Sequence, residues 1–293
     1  MKVLNYGSLN VDYVYQVSHM VQAGETLLSG SMTVFSGGKG LNQSIALAKA
    51  GVPVYHAGII GDDGQILLDA CKEYGVDDRY IRRVPGTGGH TIIQVDATGQ
   101  NCILLYGGTN QMQTKEMADE ILSDFGEGDY LVLQNEINML DYIIDRAYER
   151  GMKVILNPSP MDDRLKACDL TKISLFLLNE IEGEQLTGTA VPEEILEKLA
   201  ALYPKAAFVL TLGSKGAYYF DGKERVFQDI FKVEAVDTTA AGDTFSGYFI
   251  AGMLEQLPVS ECLKRAALAS SIAVSRAGAA PSVPSREEVE SAL

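Results

Sequence analysis

Asp237-Thr238-Thr239-Ala240-Ala241-Gly242-Asp243-Thr244-Phe245 is a glycine-bearing turn around which the rest of the chain is organised. Beyond it Phe245, Tyr248, Phe249 and Met253 recur at helical spacing, so a turn of small residues opens a helix with a buried face. Helix starts carry unsatisfied N–H donors and a partial positive charge. With Ala240, Ala241 and Gly242 bearing almost no side chain, those donors are open to a close-lying anion such as a phosphate. Asp243 stands just inside the same end, where the dipole favours its ionised form. A general base and a plain first-turn acid both fit that position.

Outward from this turn, strands and helices alternate. Lys2–Gly7, Val52–Ile60, Tyr130–Gln134, Val154–Asn157, Leu175–Leu178 and Phe208–Leu212 read as short apolar strands. Helical patterns fall at Leu41–Ala48, Gly64–Tyr74, Lys115–Phe125, Leu140–Arg150 and Glu193–Leu202, then near 242–256 and 259–275, with a last helix opening on Ser285 and Glu288 as a capping pair. The alternation predicts an α/β fold, a mostly parallel sheet with helices on both faces, as one domain over 1–293. A second group of extended segments, within about 10–36 and 88–107, interrupts it and predicts a small β-sheet lid. It contains two extended pieces around Ser29-Gly30 and a hairpin at Ala97-Thr98-Gly99.

Parallel sheets bind ligands beyond the carboxyl ends of their strands. Glu136, Asn157, Asn179 and Thr211 all fall at such ends, and Gly213-Ser214-Lys215-Gly216 makes a further glycine turn. Asn10 and Asp12, two apart, share one face of an extended segment and suit sugar hydroxyls, although both also build turns. Ser36-Gly37-Gly38-Lys39-Gly40 opens another helix and brings Lys39 and Asn42 to its start. It is not a P-loop, since Gly40 follows Lys39 where Ser or Thr would be needed, and no G-x-G-x-x-G follows the first strand.

A formal charge of -15, spread along the chain, disfavours nucleic acid and anionic membrane as partners. Cys71, Cys102, Cys168 and Cys262 have no paired spacing, which points to free thiols in a reducing cytoplasm. Asn5, Gly7, Asn10 and Asp12 interrupt the start, which does not read as a signal peptide.

Gly37-Gly38-Lys39-Gly40-Leu41-Asn42-Gln43 and Asp237–Phe245 together resemble the two signatures of the PfkB carbohydrate kinases, and specifically its ribokinase-like members. Gly7–Asp12, Asn179 with Glu182, Thr211–Gly216 and the closing Gly278–Pro284 extend the resemblance along the chain. It implies a ribokinase-like fold and ATP-dependent phosphorylation of a sugar's primary hydroxyl, most simply that of ribose, with another sugar or a nucleoside as alternatives. Asp243 would be the base, and the amides of Ala240, Ala241 and Gly242 an anion hole. The sugar would lie against Asn10, Asp12, Gly38, Lys39, Asn42, Glu136 and Asp243, and the nucleotide against Asn179, Thr211, Gly213, Lys215, Gly216 and Gly242. Asn179 and Glu182 would organise Mg2+ through water, and Asp237, Thr239, Ala273, Gly278 and Ser282 would hold K+. Family members often dimerise through the lid. An intact Asp243 turn argues against a silent sugar sensor on the same fold. Two stretches depart from the pattern. His90-Thr91 replaces a small apolar pair on a lid strand facing the sugar, and Ala266–Ser271 lacks the Asn or His often found near adenine.

Overall fold

The computed structural model describes residues 1–293. Its main sheet has nine strands, β1 (Val3–Tyr6), β4 (Val54–Ile60), β5 (Asp77–Arg83), β8 (Tyr130–Gln134), β9 (Lys153–Asn157), β10 (Ile173–Asn179), β11 (Ala207–Thr211), β12 (Ala217–Phe220) and β13 (Arg225–Gln228). They lie in the order β13-β12-β11-β10-β9-β8-β1-β4-β5, parallel except for β12 and β13. β1 pairs with both β4 and β8. The chain first builds outward from β1 through β4 and β5, and later through β8 in the other direction. The topological switch point therefore falls between β1 and β8, and the crevice for a ligand opens at their carboxyl ends.

Alternate strand residues feed two cores. Val3 and Val132 join the core under α1 (Lys39–Lys49), α2 (Gln65–Tyr74), α7 (Ala241–Leu254), α8 (Val259–Val274) and α9 (Arg286–Ala292). Leu4, Leu131 and Leu133 face the opposite core, under α3 (Lys115–Leu122), α4 (Leu140–Glu149) and α6 (Pro192–Leu202). The remaining helix, α5 (Glu180–Thr187), follows β10 directly. α7 is apolar nearly all round and runs through the centre of the first core, with Phe249 only 2% exposed. Each such aromatic contributes about 1.5–3 kcal/mol of burial, so the start of α7 stands on a rigid support. Gly247 lets α1 cross α7 closely, since a Cβ there would sit 2.4 Å from the Ala46 methyl. That crossing carries Asn42 and Gln43 to Asp243.

The segments expected to form a lid make a second sheet of four strands, β2 (Asn10–Gln16), β3 (Ser31–Gly37), β6 (Gly89–Val95) and β7 (Asn101–Tyr106), in the order β3-β2-β6-β7. Of the two extended pieces anticipated around Ser29-Gly30, only the second is a strand. Residues 25–28 pair with nothing, because Gly30 already bonds Gln16 at the end of β2. β5 has no counterpart in the sequence reading. It is a charged edge strand, Asp-Asp-Arg-Tyr-Ile-Arg-Arg, whose charge deters pairing with another chain and hides the usual apolar alternation.

Candidate active site

The carboxyl end of β1 runs into Ser8, and that of β8 into Glu136. The Ser8 hydroxyl donates to the Glu136 carboxylate across the switch point. The Lys39 amide, first in α1, donates to Glu136 Oε2 at 3.1 Å, and the Gly40 amide to Ser8 Oγ at 3.2 Å. Burial pushes the Glu136 carboxyl above its ordinary range, further than Lys39 and Ser8 pull it back. Burial disfavours the charge of Lys39, but Asp243, Glu136 and Glu182 outweigh it, and its pKa is raised. Gly38 caps α1 with φ 93°, a left-handed turn that fits against the Asn10 and Ser8 backbone.

β2 carries Asn10 and Asp12 upward from this point, on one face as their spacing predicts. Asn110, in the 3-10 turn Gly108–Gln111 that follows the lid, donates through Nδ2 to Asn10 Oδ1 at 2.7 Å and accepts from the Leu9 amide at 3.0 Å. It fixes the Asn10 side chain so that its amide nitrogen is left for a ligand. Asp12 pairs in register with Thr91 on β6, and Thr91 Oγ1 donates to Asp12 Oδ1 at 2.5 Å. Burial raises the Asp12 pKa to about 6; the Thr91 bond opposes the shift and the Glu136 charge adds to it. His90, one residue earlier, lies on the other face, with its ring 6.1 Å from Tyr13 and 5.0 Å from Tyr106. Of the unusual pair, only Thr91 shares the face of Asp12.

Asp243 is buried at the start of α7. Gln43 Nε2 donates to its Oδ1 at 3.0 Å and Asn42 Nδ2 to its Oδ2 at 3.2 Å. Asn42 Oδ1 is buried without a partner, an open acceptor beside Asp243. Ala240 caps the helix in a left-handed conformation, φ 59°, which costs a non-glycine residue about 1–2 kcal/mol. The amides of Ala240, Gly242 and Asp243 bond no protein acceptor. The Ala241 amide does, closing a turn onto the Thr238 carbonyl at 3.3 Å. The open donors are thus Ala240, Gly242 and Asp243, in place of the anticipated Ala240–Gly242 row.

Two adjoining cavities meet at this helix start. One, of about 250 Å³, is lined by Lys39, Asn179, Glu182, Thr211 and residues 240–243. The other, of about 610 Å³, runs between the Gly213–Gly216 turn, Ile230–Val233 and Ser270 and Ser271 of α8. They share Thr211, Thr238, Ala241, Gly242 and Phe245. The larger is long and mostly apolar and suits a flat heterocycle whose anionic end points at Gly242. Lys215 lines neither cavity. Asn179 and Glu182 form a capping box: Glu182 Oε2 and Oε1 accept from the Asn179 amide and Nδ2 at 3.0 and 3.1 Å. Behind α7, Asp237 accepts from the amides of Thr239 at 2.8 Å and Gly278 at 2.9 Å, tying the two loops together. Burial would raise its pKa, but these bonds hold it below the ordinary value. The Thr239 and Gly278 carbonyls accept no hydrogen bond, whereas that of Ala273 is taken by the Arg276 amide and the Ser282 hydroxyl donates to Ala279.

The structure thus gathers Asn10, Asp12, Gly38, Lys39, Asn42, Glu136 and Asp243 on one side of the α7 start, and Asn179, Thr211, Gly213, Gly216 and Gly242 on the other. Ser8, Gln43, Thr91 and Asn110 belong with them; the sequence marks Thr91, with His90, only as a departure from the family pattern and gives none of the four a site role. Gln43 had a visible signal, since it directly follows Asn42 at a helix start. Asn110 had none, and no local feature tells which of His90 and Thr91 faces inward, because the partners of Asn110 and Thr91 lie 100 and 79 residues away.

The family described as pfkB family carbohydrate kinase matches residues 1–286. A ribokinase from Haemophilus influenzae is 33% identical over 295 residues, covering 96% of this chain and 95% of the relative. A deoxyribokinase from Salmonella typhi is 31% identical over 297 residues, covering 98% of this chain and 97% of the relative. The structure of Arabidopsis thaliana ribokinase complexed with ribose and ATP superposes with a TM-score of 0.88 at 31% identity, covering 99% of this chain and 97% of that one.

Proposed function

The chain belongs to the pfkB family of carbohydrate kinases, and from that premise we propose that it is an ATP-dependent ribokinase acting on the 5-hydroxyl of ribose. The observation that carries this is Asp243, set beside open backbone amides between a polar cluster and a nucleotide-sized cavity. Asp243 takes the proton of the primary hydroxyl as its oxygen attacks the γ-phosphorus. The bond to the β–γ bridging oxygen breaks, and ADP leaves. The amides of Ala240, Gly242 and Asp243 stabilise charge on the transferred group, with Lys39 nearby. Asn10, Asp12, Asn42 and Glu136 grip the remaining hydroxyls. Thr211, Gly213, Gly216 and Gly242 border the nucleotide.

The residues present fit both implied cations. Asn179 and Glu182 would hold Mg2+ on the nucleotide phosphates through water, since this small ion sheds its waters reluctantly, and there it would neutralise phosphate charge. Asp237 and the open carbonyls of Thr239 and Gly278 offer K+ hard oxygen ligands, with Ala273 and Ser282 beside them.

A coupled ADP-release assay over a panel of pentoses, hexoses and nucleosides tests the reading. Ribose should give the highest kcat/KM, and a preference for a nucleoside would refute it. A 2-deoxypentose is the specific rival, because Thr91 occupies one oxygen of Asp12 that a second hydroxyl would otherwise use.

The buried Asp12 carboxyl gives the sugar step a pH dependence. Its folded pKa, about 6, lies above the unfolded value. The linked stability is therefore present below the unfolded pKa and lost as pH rises through about 6. Sugar binding has the opposite sign, since a hydroxyl donates more strongly to the ionised carboxylate, whose two oxygens both accept. Ribose KM should rise about tenfold between pH 7.5 and pH 5, and Asp12→Asn should raise KM and flatten this profile. A profile unchanged in Asp12→Asn would assign the limb to another group.

The lid supports a homodimer. All of β7 is exposed, with Ile103, Leu104 and Tyr106 exposed by 55%, 67% and 55%, and Met32 and Ile92 add to the apolar surface. A second copy clasped there would cover an open sheet edge. Sedimentation should show a dimer that Leu104→Arg converts to monomer; a monomeric parent would refute it. The four free thiols support a reducing cytoplasm as its place of work. No helix is long and apolar enough to cross a membrane.

A further inference from the structure

Gln43 is fully buried, and both ends of its amide are occupied within the protein. Nε2 donates to Asp243 Oδ1 at 3.0 Å, and Oε1 accepts from Gln134 Nε2 at 2.7 Å. Being fully buried with both ends engaged, it is a group that acts through Asp243. Gln134 also donates to Asn5 Oδ1 at 3.0 Å. Asn5 Nδ2 donates in turn to the Gly40 carbonyl at 2.7 Å and to Ser44 Oγ at 2.9 Å. Ser44 Oγ shares a further hydrogen bond with His56 Nδ1 at 2.8 Å. All six residues of this chain are buried, and five are fully so.

The chain has a direction. The ring of His56 is neutral in its apolar surroundings, where burial lowers its pKa to about 4. The Gly40 carbonyl, which can only accept, fixes the Asn5 amide, and each amide of the row then has one permitted orientation. A flipped Gln43 amide would set its oxygen against Asp243 and its nitrogen against the Gln134 nitrogen. Buried groups left facing like partners are costly, so the arrangement is locked.

We propose that Gln43 is a positioning residue for Asp243, and that Gln134, Asn5, Ser44 and His56 set its orientation from beneath the switch point. The base thereby meets the substrate hydroxyl with its carboxylate plane fixed before the sugar arrives. This rests on the reading of Asp243 as the base, and the two claims fail differently. If Asp243→Asn keeps its turnover, the base assignment falls. If Asp243→Asn is inactive while the Gln43 variants are fully active, only the positioning role falls.

The test is a double-mutant cycle on kcat, with melting curves and sugar calorimetry on every variant. Gln43→Glu keeps the volume and the acceptor but turns a carboxylate oxygen toward Asp243. Gln43→Met removes both polar ends. Both should lower kcat by about ten- to a hundredfold, the range for a reacting group displaced by a fraction of an ångström, with both KM values within about threefold of the parent. Gln134→Met, which touches neither Asp243 nor substrate, should lower kcat several-fold. The double variant should be no slower than Gln43→Met alone, because the two act in series. Wild-type kcat in Gln43→Glu would overturn the proposal. So would losses that multiply in the double variant, or a change confined to KM. Variants that all melt out and no longer bind sugar would assign the chain to core stability and overturn it equally. If Gln43→Met alone fails to fold, the isosteric Gln43→Glu and the remote Gln134→Met decide.

Discussion

Asp243→Asn should lower kcat about a thousandfold, within the range expected when a positioned general base is removed. Sugar affinity should stay within a few-fold, because the polar cluster at Asn10, Asp12, Asn42 and Glu136 is untouched. The asymmetry follows from location. Asp243 is buried at the start of a helix whose body is packed into the first core, so the change of one atom leaves the backbone where it was. The new amide brings a hydrogen-bearing nitrogen to Gln43 or Asn42, both of which donate to this side chain, so one of those bonds is also lost. Coupled ADP release gives kcat and calorimetry gives the sugar Kd. Turnover near the parent value would remove Asp243 as the base.

Local patterns carried the fold a long way. The buried strands flanking the switch point, the apolar body of α7 and the Ser285–Glu288 capping box all appear where the sequence places them, because each depends on neighbours within a few residues. Elements without an apolar signature were silent. β5 is charged because it is an edge, and α5 buries only Glu182 and Gly183, so neither shows a periodic stripe. The site divides along the same line. Amides at a helix start are local and legible. The partners that orient the side chains are not: Gln43 meets Asp243 across 200 residues, and Ser8 meets Glu136 across 128. His90 and Thr91 were adjacent letters, and only the pairing of β6 with β2 separates the residue on the Asp12 face from the one behind it. The Thr238–Ala241 turn likewise removes one of three expected amides for a reason of backbone geometry that residue type does not encode.

Gly242→Ala should raise stability while lowering activity, and the opposite signs make it a sharp test of the amide cradle. Gly242 lies in the first turn of α7 with ordinary helical φ, and a Cβ built there meets no atom within 4 Å. Replacing an unstrained helical glycine with alanine typically contributes about 1 kcal/mol of stability. Yet Gly242 lines both cavities, so the open space beside it is the space in which they meet. A methyl group there holds a transferring phosphoryl group away from the Gly242 and Asp243 amides. Loss of one such donor costs about a hundred- to a thousandfold in kcat, and displacement without full loss should cost at least about tenfold. A raised melting temperature with at least a tenfold fall in kcat is the expected result. Unchanged activity would mean that the phosphoryl group passes elsewhere. Lowered stability would mean that the glycine serves the backbone and leaves the cradle to other residues.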